Sequence, residues 1–157
     1  LSGPIPEILV VANPLWETTL LFDELPPRDL VQKRGVEHVR VQATSVREDT
    51  GGSAANVAVH FSQWGFHVGQ VGRVGTDPAS DRVRDRMFHY GVSDALVVEE
   101  GRRLKSSAIC CERGGEKAYF CAWIPEGAVT PVEYSDVPEL WIHGAQWLHL
   151  DRVSEVG

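Results

Sequence analysis

The run Gly51-Gly52-Ser53-Ala54-Ala55-Asn56 concentrates residue types that can hold an oxygen-rich ligand. Two adjacent glycines let the backbone turn sharply and come close to a ligand, and the periodic apolar residues that follow predict a helix whose first N–H groups lack partners. Ser53 and Asn56 add hydroxyl and amide groups one turn apart. The same residues also read as a plain loop in which Ser53 caps the helix. The run misses the Gly-x-Ser-x-Gly elbow of hydrolases at its fifth position, Ala55, and no spacing identifies a partner base. Gly69, Gly72 and Gly75 miss the Gly-x-Gly-x-x-Gly dinucleotide spacing and overlap a predicted strand, so tight packing is their expected role. No Gly-x-x-x-x-Gly-Lys-Ser/Thr phosphate loop occurs. His38, His60, His67, His89, His143 and His149 are scattered without a His-Glu-x-x-His or cysteine-pair context, so no metal site is expected.

The elements that must position this run follow from periodicity. Glu7 to Ala12 is a short continuous apolar run, the mark of a strand buried on both faces. Thr18 to Asp23 and His38 to Thr44 read as half-exposed strands of a peripheral sheet, the second because Val39, Val41 and Ala43 alternate with polar residues. Ala54, Val57, Ala58, Phe61 and Trp64 recur at helical spacing up to a stop at Gly65. His67 to Val74 is a second core strand. Asp77 and Pro78 then open a helix as N-cap and first residue, with Ala79, Val83, Met87 and Tyr90 on its apolar face. With Ala95 to Val98 as a third strand, the order is βαβ. Ser107 to Glu112 and Lys117 to Trp123, joined through Gly114-Gly115, form a predicted antiparallel hairpin. Ala145 to Leu150 is a further core strand, and a chain that stops soon after it lacks the helix to cover it, so the architecture reads as incomplete.

Composition narrows the class. With 157 residues, 43% hydrophobic and 24% charged, the chain reads as one ordinary globular domain that needs neither disulfide nor metal for its core. A net charge of −7, from 15 Lys plus Arg against 22 Asp plus Glu, with no basic run, argues against nucleic-acid or anionic-membrane partners. No apolar stretch approaches a membrane span and the start lacks the features of a secretory signal. Cys110, Cys111 and Cys121 fit reduced thiols in a cytoplasmic protein, packed as small fillers. Trp123, Trp141 and Trp147 are expected as core or interface anchors.

Gly51-Gly52-x-x-x-Asn56-x-Ala58, Trp64-Gly65 before a strand, Val71-Gly72-x-Val74-Gly75-x-Asp77 and Gly91-Val92 after a helix resemble, in order and spacing, the N-terminal signature of the ribokinase-like (PfkB) carbohydrate kinase family. The resemblance implies an α/β fold, a ribokinase-like sheet flanked by helices with a small β-sheet lid, of which residues 1–157 are the N-terminal, substrate-binding part. The lid strands then fall near residues 17–23, 38–44 and 107–123. It further implies ATP-dependent phosphorylation of a sugar or nucleoside-like hydroxyl, with ATP and Mg²⁺ serving the complete protein and a homodimer formed through the lid. Substrate contacts carry over to Gly51, Gly52, Ser53 and Asn56, to Glu17 after the first strand, and to Asp151 after the last. No catalytic residue and no nucleotide site is assigned within the chain, because the family's Gly-Ala-Gly-Asp run is absent. Leu15, Ala54 and Ser80 depart from the family pattern, which keeps a second expectation open: a non-catalytic scaffold or binding protein of the same fold.

Overall fold

The computed structural model describes residues 4–26, 42–115 and 118–151. Strands β1 (Ile8–Val11), β4 (Val68–Val74), β5 (Ser93–Val98) and β8 (Trp147–Leu150) form one sheet in the order β5-β4-β1-β8, parallel throughout. Helices α1 (Ser53–Gln63), α2 (Pro78–His89) and the short α3 (Glu139–Gly144) complete the layers. The apolar run of β1 divides between two cores by strict alternation. Ile8, Val10 and Ala12 pack with Ala54, Ala55 and Ala58 of α1 and Val83 and Met87 of α2, while Leu9 and Val11 pack with Val71, Ala95 and Trp141. Three alanines on one face of α1 let that helix lie close on β1, and Ala54, where the family pattern departs, is buried there. The glycine series in and after β4 is indeed a packing feature. A β-carbon at Gly72 would stand 2.4 Å from the Ala12 carbonyl oxygen, and one at Gly75 would stand 2.1 Å from that of Arg102.

The second sheet has the order β3-β2-β6-β7, from β2 (Leu15–Phe22), β3 (Ser45–Gly51), β6 (Ser106–Glu112) and β7 (Ala118–Trp123). β2 pairs antiparallel with β3 and parallel with β6, and β6 and β7 form the predicted hairpin, whose Gly114 and Gly115 have φ of 101° and 76°. One expected lid strand, near residues 38–44, falls mostly outside the described residues. Residues 38–41 lie outside the described residues, 42–44 carry no strand, and the strand that pairs with β2 is Ser45–Gly51. β8 also differs from its reading as a core strand: it is an edge strand with Trp147 70%, Leu148 55% and Leu150 52% exposed. Among the described residues no helix is long and apolar enough to cross a membrane.

Two local expectations change in detail. Gly52, with φ of 91°, is the N-cap of α1, so Ser53 is the first helical residue and its side chain does not cap. Asp77 sits at the N-cap of α2 without bonding a helix N–H. Its carboxylate instead accepts the Ser80 hydroxyl and the Leu104 N–H, and the Ser80 oxygen accepts the Gly75 N–H at 2.8 Å. Ser80 is fully buried, so this departure from the family pattern serves as an internal bridge between α2 and the end of β4.

Candidate functional site

The parallel sheet ends at a carboxyl edge where β1 leads into Asn13, β8 into Asp151, and β3 delivers Gly51-Gly52 to the start of α1. Crevices outside the carboxyl ends of parallel strands are where α/β sheets take their ligands. Ser53 donates its hydroxyl to Asp151 across 98 positions of sequence, so two of the predicted residues meet there. Asp151 is further tied to β1 by its N–H to the Val11 carbonyl at 3.4 Å. Ser53 and Asn56 are both exposed on the first turn of α1, three residues apart on one face.

Glu17 and Asn56 come together in a second way. Both line a cavity of about 320 Å³ between the lid and α1, together with Thr19, Asp49, Thr50 and Tyr90. Strand register places Glu17 beside Ser107 on β6 and opposite Asp49 on β3. The Ser107 hydroxyl is 3.5 Å from Glu17 Oε2, leaving the carboxylate largely open to the cavity. Asp49 is occupied: it accepts the Tyr90 hydroxyl at 2.6 Å and the Thr50 N–H at 2.8 Å. Burial would push the Asp49 carboxyl up, but these bonds, that of Arg47 and the charge of Arg86 outweigh it and hold it below the ordinary carboxylate value. The hydrogen bond to Asp49 and burial both push the Tyr90 phenol up. Thr50 is buried and its hydroxyl oxygen has no partner.

Gly51 is fixed by space rather than by conformation. A β-carbon there would stand 2.6 Å from Glu17 Cβ and 2.9 Å from Leu15 Cδ1, so only glycine lets β3 close on β2 at this point. Leu15 thus backs the Gly-Gly turn with an apolar side chain. The six predicted residues fall into two linked groups, Ser53 with Asp151 and Glu17 with Asn56, joined through Gly51-Gly52 and the first turn of α1.

Sequence reasoning missed a polar cluster on the other side of the same edge. The Arg73 guanidinium bonds Asp136 at 2.6 and 3.0 Å and Glu99 at 3.2 Å, reaches Glu133 at 3.5 Å and donates to the Thr130 hydroxyl. Asn13 is absorbed into it, accepting the Arg73 N–H at 2.8 Å and donating to the Thr130 carbonyl at 2.6 Å. Burial would raise the Asp136 and Glu99 carboxyls, but Arg73 at the first and mainly Thr130 at the second hold both below the ordinary value. No sequence signal marks this cluster, whose partners lie as many as 117 residues apart.

Known proteins can now be set beside this geometry. The pfkB family of carbohydrate kinases matches residues 20–156. The chain belongs to that family. It is 34% identical over 105 residues to a fructokinase of Escherichia coli, covering 66% of this chain and 33% of that protein. A 1-phosphofructokinase of Xanthomonas campestris is 34% identical over 94 residues, covering 60% of this chain and 23% of that one. The crystal structure of fructokinase from Xylella fastidiosa superposes with a TM-score of 0.65 at 22% identity, over 91% of this chain and 40% of that chain, which shows the shared fold. The chain thus spans a third or less of the length of these two sequence relatives. Among the described residues no three His, Cys, Asp or Glu side chains gather as a metal site.

Proposed function

We propose that this chain is the acceptor-binding part of an ATP-dependent carbohydrate kinase that phosphorylates a hydroxyl of a sugar or nucleoside-like substrate. The observation that carries the reading is the Ser53–Asp151 hydrogen bond, which closes the Gly-Gly turn and the α1 N-terminus over the carboxyl end of β8. A sugar needs several fixed donors and acceptors around its ring. The exposed Ser53 and Asn56, the carboxylates of Glu17 and Asp151, and the α1 N–H groups beside Gly52 offer both kinds. Holding the acceptor rigidly converts a bimolecular encounter into an oriented one before any phosphoryl group moves. ATP, delivered with Mg²⁺, supplies the phosphoryl group and its charge compensation in the whole protein, where the remaining chain carries the catalytic residues.

The same reading assigns the exposed Phe120, Trp123 and Ile124 at β7 to a lid-to-lid homodimer, and a cytoplasmic location to the free thiols Cys110, Cys111 and Cys121. The test is ADP release by the full-length protein with Mg²⁺-ATP and fructose, ribose, glucose or adenosine. Acceptor-dependent release with at least one of them is expected. Release that no acceptor stimulates would contradict the kinase reading and leave a binding role for the fold.

A further inference from the structure

Strand register sets Asp49 directly opposite Glu17, and two carboxylates facing each other across an antiparallel pair repel. The structure resolves this conflict from α2. Along one face of that helix, Arg82, Arg86 and Tyr90 recur at intervals of four, and each engages the lid. Arg82 lies 3.9 Å from Glu48 and 5.5 Å from the ring centre of the buried Trp16, and Arg86 lies 3.8 Å from Asp49. The strongest tie is the Tyr90 hydroxyl, which donates to Asp49 Oδ2 at 2.6 Å in a half-buried position. Surface arginine contacts of this length contribute little, whereas a short bond to a charged and shielded oxygen contributes more. Asp49 precedes Gly51-Gly52 by two residues, so whatever holds Asp49 also sets where β3 delivers the turn.

We propose that Tyr90 is a positioning residue for the acceptor. By holding Asp49 against α2, it leaves the Glu17 carboxylate free to face the ligand and fixes the strand that carries Gly51, Gly52 and Ser53. Tyr90 acts through Asp49, because its hydroxyl is already committed to that side chain. The inference rests on the acceptor-site reading above, yet it can fail separately.

The experiment uses the full-length protein and the best acceptor among fructose, ribose, glucose and adenosine. Tyr90→Phe, which keeps the ring and removes only the hydroxyl, is expected to raise the acceptor KM roughly tenfold, the scale of one lost hydrogen bond to a charged group, with kcat within about twofold and the KM for ATP unchanged. Asp49→Ala is expected to do the same. The double variant should be no worse than either single one, the signature of two residues acting as one unit. Asp49→Asn retains an oxygen for Tyr90 and should recover most of the affinity. An unchanged acceptor KM in Tyr90→Phe, or fully additive effects in the double variant, overturns the proposal while leaving the kinase reading intact. If Asp49→Ala fails to fold, Tyr90→Phe and Asp49→Asn decide alone. Absence of both turnover and calorimetric binding with all four acceptors in the unaltered protein overturns the kinase reading, and the proposal with it.

Discussion

Two polar regions flank the carboxyl edge of the parallel sheet, and they differ in how many of their hydrogen-bonding groups are already engaged. Around Arg73 the guanidinium, Asp136, Glu99, Thr130 and Asn13 bind one another. Around the Gly-Gly turn, Ser53 bonds only Asp151 and stays exposed, Asn56 is exposed, Glu17 has a 3.5 Å neighbour in Ser107, and the buried Thr50 oxygen has no partner. Buried polar groups in a folded protein are ordinarily paired, so a self-satisfied cluster is read as structure and an open one beside a cavity as a place for a ligand. The lesson is that density of charge does not locate a site. Arg73 has the richer set of ion pairs, yet its groups have little left to offer a substrate.

Substitutions can break this comparison from either side. Arg73→Met removes the shared cation and leaves Asp136 and Glu99 without it, so we expect a loss of about 3 kcal/mol of unfolding free energy in denaturant titration of the intact protein, with the acceptor KM unchanged. Asn56→Ala should do the reverse: kcat/KM for the acceptor falls roughly fiftyfold, the scale of two lost hydrogen bonds to a sugar, while the unfolding midpoint stays in place.

Acid sharpens the contrast. Asp136 and Glu99 have lowered carboxyl pKa values in the folded state, so on acidification the unfolded chain takes up protons first. Their contribution is therefore complete above the ordinary carboxylate range near about pH 4, and is lost as the pH falls through the folded values. Unfolding midpoints should drop steeply below that range, and Asp136→Asn should flatten the drop; an equal slope in both proteins would contradict the assignment. The smallest effect is expected from Glu17→Gln, about a threefold rise in acceptor KM, because the amide still accepts a hydrogen bond but loses the charge.

Much of the fold is legible in the sequence where the periodicity is strong. β1 is an unbroken apolar run, α1 and α2 show helical spacing with clear stops, and Gly114-Gly115 announces the hairpin. β3 is not legible, because Ser45–Gly51 contains one large apolar residue, Val46, and that one is 60% exposed. Pairing with β2 makes it a strand, a tertiary effect that its own composition does not announce. The Gly-Gly turn and Asn56 are legible as a candidate site because a helix start and two glycines carry their own physical logic. The meeting of Ser53 with Asp151, the opposition of Glu17 and Asp49, and the Arg73 cluster depend on strand order, which no local pattern records.

The most direct test of the central claim is calorimetric titration of the acceptor into the intact protein without nucleotide, comparing Asn56→Ala with Asp136→Asn at neutral pH. Affinity lost in the first and kept in the second is the predicted result. Affinity kept in Asn56→Ala and lost in a folded Asp136→Asn would place the ligand at the Arg73 cluster instead and contradict the account.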